Sequence, residues 1–109
     1  MLNFEDTLML SEVFHTPKNT VFTVCKKALI ELGFALEVSD FENMTITASS
    51  KTSFFSWGED IQIILESSNT NSTEVKVVST SKAQLIDWGK NADNEQAIMN
   101  KIKELSTHQ

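Results

Sequence analysis

The chain has 109 residues, 40% of them hydrophobic and 22% charged, and its fifteen acidic against nine basic side chains give a net charge of -6. A domain of this length buries about two thirds of the surface its unfolded chain exposes, so a core is feasible without staples. The composition excludes an internal disulfide (one cysteine), a bilayer-spanning run of roughly 20 apolar residues, and general affinity for phosphate backbones or acidic membranes, since Lys26-Lys27 is the only adjacent basic pair.

Met1 to Asp6 has neither the basic nor the long apolar region of a signal peptide, so the expected compartment is the cytoplasm. Thr7 to His15 mixes Leu8, Leu10, Val13 and Phe14 with polar residues and reads as a first strand. Thr16-Pro17 signals a helix start, with Thr16 as N-cap and Pro17 in the first helical position. Val21, Cys25, Leu29 and Leu32 then recur at helical spacing, with Phe22 and Ala28 widening the stripe. Gly33 is the expected left-handed residue that ends this helix, and Phe34 can fold back on its last turn.

Two alternating runs follow, Phe34, Leu36 and Val38, then Met44, Ile46 and Ala48, joined by a five-residue loop from Ser39 to Asn43. Ile61, Ile63 and Leu65 alternate in a further strand, and Val75, Val77 and Ser79 in another, with the polar run Ser67 to Thr73 as the loop between them. Asp93 with Gln96 three residues later forms a capping-box pattern ahead of a last helix, whose buried stripe is Ile98, Ile102 and Leu105. Ser106 to Gln109 should fray.

The element order is strand, helix, four strands, helix over one domain, residues 1–109. That order predicts an α+β fold, an antiparallel sheet of about five strands with two helices packed on one face. The other face would carry Thr45, Thr47, Gln62, Lys76 and Thr80 together with Ile64 and Val78, two apolar residues that could form the middle of a homodimer contact.

Each of the two tryptophans is followed by a glycine, in Ser56-Trp57-Gly58-Glu59 and Asp87-Trp88-Gly89-Lys90-Asn91. Such pairing suggests turns in which an indole covers something, on either side of the most strand-like stretch. The topology resembles the helix-grip-like domains of small uncharacterised bacterial proteins and of the BamC lipoprotein, and the stretch between the two Trp-Gly sequences resembles a pattern in small bacterial domains of unknown function. Neither resemblance implies a catalytic residue. The chain shows neither an N-terminal signal nor a lipidated cysteine, so membrane anchoring is not implied.

Cys25 lies on the apolar stripe, where a free cysteine acts as a small hydrophobe rather than a nucleophile activated by His15. Two separated histidines and scattered carboxylates lack metal-ligand spacing, and no cofactor is expected. Gly89-Lys90-Asn91 lacks the flanking glycines and the Ser or Thr of a phosphate loop. Glu59-Asp60 is the one carboxylate pair near an aromatic cluster, so an enzyme using them is an open alternative. Phe54, Phe55, Trp57 and Trp88 either close the end of the core or form the mouth of a pocket, with Glu59, Asp87, Lys90 and Asn91 as its polar groups. The expected function is noncatalytic: binding of a partner protein or small apolar molecule near the Trp-Gly sequences, with no nucleic-acid or membrane partner. An acidic inhibitor or immunity-type protein docking on a basic partner is the main rival.

Overall fold

Pro17 decides where the first helix begins. In the computed structural model, which describes residues 7–49, 59–81 and 88–107, Pro17 has φ -61° and ψ 150°, and its extended ψ keeps it outside helix α1, Lys18–Glu31. Pro17 therefore occupies the cap position expected for Thr16. Its carbonyl accepts the N–H groups of Thr20 and Val21 at 3.1 Å, with no side-chain cap. Thr16 serves elsewhere: its carbonyl accepts the Thr73 hydroxyl at 2.7 Å. At the other end Gly33 has φ 91°, and the N–H groups of Gly33 and Phe34 return to the carbonyls of Ile30 and Leu29. This is the double hydrogen bond of a Schellman stop, which a residue free to adopt positive φ makes accessible.

Strand β1 spans Thr7–Phe14, β2 Ala35–Asp40, β3 Thr45–Ser49, β4 Glu59–Asn69 and β5 Ser72–Ser81, and helix α2 covers Trp88–Ser106. The strands form one antiparallel sheet in the order β1-β5-β4-β3-β2. Both helices cover one face, giving the α+β fold expected from the element order. Val21, Cys25, Ala28 and Leu29 of α1 and Ile98, Met99 and Ile102 of α2 are fully buried against Ile46, Ile63, Val75 and Val77 of the sheet.

Three segments depart from the expected alternation. The register of β2 against β3 shifts between Leu36 and Val38, so Leu36 opposes Ala48 on the core side whereas Val38 opposes Thr47. One extra residue in a strand transfers every later side chain to the other face, and Val38 is 55% exposed rather than buried. The first hairpin loop is Phe41 to Met44, not Ser39 to Asn43, with Met44 at φ 54° and its side chain buried. Asp40 holds this turn by accepting the Asn43 backbone N–H at 3.1 Å and its side-chain amide at 2.8 Å. Phe41 also packs edge-on against Phe22 of α1, with ring centroids 5.3 Å apart.

The polar run Ser67 to Thr73 is mostly strand, with a turn only at Thr70-Asn71, where the Asn69 side chain accepts the Asn71 N–H at 2.8 Å. Its polarity misled because Ser72 and Thr73 are buried while the residues around them stand at an exposed tip. Helix α2 begins at Trp88, so Asp93 lies inside it and not at a capping box before Gln96. It also persists at the other end: Ser106 is helical, and the Thr107 hydroxyl donates to the Glu104 carbonyl at 2.8 Å.

Candidate functional site

Strand pairing brings together the places where the expected site residues attach. Ser49, the last residue of β3, opposes Asp60, and Glu59, the first of β4, opposes Ser81, the last of β5. Residues 50–58 and 82–87 therefore join the sheet at the same end. Phe54, Phe55, Trp57 and Asp87 lie outside the described residues, and for Glu59, Trp88, Lys90 and Asn91 only the backbone is described. That backbone changes one expectation. Trp88, Gly89, Lys90 and Asn91 form the first turn of α2 and not a turn preceding it.

The uncovered face of the sheet bears a concavity of about 460 Å³ beside this end, bordered by Glu37, Thr47, Asp60, Gln62 and Val78. The β2 bulge shapes it, since Glu37 falls at the register shift. Thr47, Gln62 and Val78 stand in one cross-strand row, as alternation on β3, β4 and β5 requires. Among the described residues the lining combines Val78 with two carboxylates and no basic side chain, which suits an apolar group bearing a positive charge. Ile64 and Val78 do share this face, as expected from the sequence, and Lys76 beside them is ion-paired with Glu66 at 3.2 Å.

On the covered face, sequence reading missed Glu95. It is 4% exposed, and its carboxylate accepts the backbone N–H of the fully buried Ser79 at 3.0 Å. Loss of hydration disfavours its charge and raises the pKa to about 7, against the smaller opposing effect of the Ser79 hydrogen bond. Ser79 opposes Ile61, one position from the Asp60–Thr80 pair, so this acid lies beneath the same end of the sheet. A signal was present in the sequence: Glu95, Ile98, Met99 and Ile102 share one helical stripe.

The remaining candidates have structural roles. Cys25 is fully buried and its pKa is pushed up to about 12 by loss of hydration, so no thiolate is available for nucleophilic attack. His15 faces the Ser72 hydroxyl at 3.3 Å. Asp40 is held below the usual carboxylate range by the Asn43 hydrogen bonds that close its turn. Among the described residues no three His, Cys, Asp or Glu side chains group to hold a metal ion, and no helix is long and apolar enough to cross a membrane.

No family profile matches the chain, and no curated protein matches it by sequence. Its fold is similar to that of solved structures. One is an uncharacterised protein from Bacillus thuringiensis, with TM-score 0.64 at 12% identity over 90% of this chain and 93% of that one. Another is a protein from Thermus thermophilus, with TM-score 0.51 at 11% identity over 90% of this chain and 94% of that one. At such identities the likeness establishes an α+β fold of this topology and nothing about activity.

Proposed function

We propose that the protein is a noncatalytic binding domain whose ligand sits at the end of the sheet where the Trp57 and Trp88 segments join it. The ligand is a partner protein or small molecule that presents an apolar group with a positive charge. The observation that carries this reading is the concavity on the uncovered face, with Val78 as apolar floor and Glu37 and Asp60 at its border. Loops held at one end of a rigid sheet commonly carry binding residues, and an apolar surface with few polar groups suits recognition. Asp60 is exposed, which leaves it without the burial that acid-base work demands and favours binding over catalysis.

NMR shift mapping against a panel of small amines with aromatic or aliphatic bodies tests the reading. Binders should shift the amides of Thr47, Gln62 and Val78 and the two indole N–H signals. Shifts confined to the helical face would refute it. Docking of an acidic inhibitor on a basic protein is a second reading, favoured by the net charge of -6 and by the carboxylates at the concavity. It predicts affinity that falls steeply with salt, whereas apolar burial predicts near-constant affinity.

A further inference from the structure

The two edges of the sheet are built differently. β2 is interrupted by the bulge next to Glu37, and both a bulge and a charge blunt an edge strand against pairing. β1 instead keeps unbroken register with β5 over its 8 residues. Every second residue of an antiparallel strand turns its N–H and C=O away from its neighbour, so the free side of β1 presents a regular row of backbone groups that no described strand pairs. On the uncovered face the same strand displays Met9, 60% exposed, and Val13, 51% exposed.

We propose that β1 pairs antiparallel with β1 of a second copy about a two-fold axis through Ser11, joining two sheets into one continuous sheet. Residues directly opposite in an antiparallel pair share a face, so the axis must pass through a residue and not between two. An axis at Ser11 sets Met9 of each copy against Val13 of the other, making the contact twice. The exposed apolar side chains of this edge are thereby covered in self-complementary fashion.

Charge and helix placement agree with this partner. The chain's excess negative charge opposes self-association, but Met9, Ser11 and Val13 are uncharged and Glu12 is ion-paired with Lys103 of α2. α2 packs over both β1 and β5. With strands about 4.8 Å apart, a helix midway above those two would lie about 5 Å from the dyad. The two α2 helices would then run about 10 Å apart, an ordinary helix packing distance. One strand pair flanked by such a contact falls at the low end of the about 1,200–2,000 Å² of a stable interface, which points to a reversible dimer.

Sedimentation equilibrium of the full chain tests this, with circular dichroism to verify that each variant is folded. A monomer–dimer equilibrium with a Kd in the micromolar range is expected. Met9→Lys and Val13→Glu should each weaken it at least about tenfold, since a charge would then face an apolar residue, while Ile64→Lys on the open face should leave it unchanged. The double variant M9K/V13E should recover the dimer, because each new lysine meets the second copy's glutamate. A monomer at millimolar concentration, a dimer insensitive to Met9→Lys, or failure of the double variant to recover would overturn the proposal. Met9 directly opposes Val78, so ligand binding is read separately, from the amide shifts of Thr47 and Gln62, and dimerisation can fail with those shifts intact.

Discussion

Glu95→Gln isolates the cost of keeping an ionisable group beneath the sheet. The pKa of Glu95 is raised from 4.5 to about 7 by burial, and each factor of ten in proton affinity is worth about 1.4 kcal/mol, so ionising it in the folded protein costs about 3 kcal/mol relative to the unfolded chain. The sign follows from which state holds the proton more tightly. Between the unfolded and folded pKa values the folded state does, so its advantage is full below the lower value and is lost as pH rises through the upper one. Glutamine keeps an oxygen that can accept the Ser79 N–H but cannot ionise. Urea unfolding of both proteins at pH 5 and pH 8 should therefore show wild type losing roughly 2 to 3 kcal/mol more than the variant over that interval. Using the difference between the two proteins removes the titration of all other groups. Parallel pH profiles would show that Glu95 is solvated in the folded protein, and the argument from its burial would fail.

Leu29 is fully buried, so Leu29→Ala should cost about 2 to 5 kcal/mol in chemical denaturation, and a loss below about 1 kcal/mol would contradict its packing. Gly33→Ala should cost about 1 to 2 kcal/mol from positive φ alone, since a Cβ there meets nothing within 4 Å; a larger loss would mean that steric crowding had been missed. Cys25 should resist thiol reagents in the native protein and react once urea unfolds it, whereas prompt native labelling would contradict both its burial and its raised pKa.

What could be read from the sequence was what local periodicity determines. The helical spacing of Val21, Cys25 and Leu29 and the alternation of Ile61, Ile63 and Leu65 located the core, because each pattern needs only a few consecutive residues to declare its buried side. Gly33 likewise announced its stop through a conformation that other residues resist. The misses arose where a distant partner decides. Glu37 becomes a bulge only because β3 fixes the register of β2, and Ser72 and Thr73 are buried because His15 and Thr16 meet them across the sheet. The start of α2 was misplaced because Asp93 and Gln96 satisfied a capping pattern inside a helix that begins earlier. Glu95 belongs to no carboxylate cluster and acts alone against a backbone amide, a partner that local sequence does not reveal. The aromatic candidates Phe54, Phe55 and Trp57 lie outside the described residues, so the structure bears on them only through the strand ends that anchor their segment.

The strand order also has a temporal consequence. β2 to β5 form an up-and-down meander whose neighbours follow one another along the chain, whereas β1 pairs with β5 across more than half the chain's length. During synthesis β1 must wait until β5 has emerged before it finds its place. Closing so long a loop costs entropy before any contact compensates, so β1 should dock late and set the pace of folding. Until then an apolar strand is left without its neighbour, and the same interval leaves one flank of β5 open to association with another nascent chain.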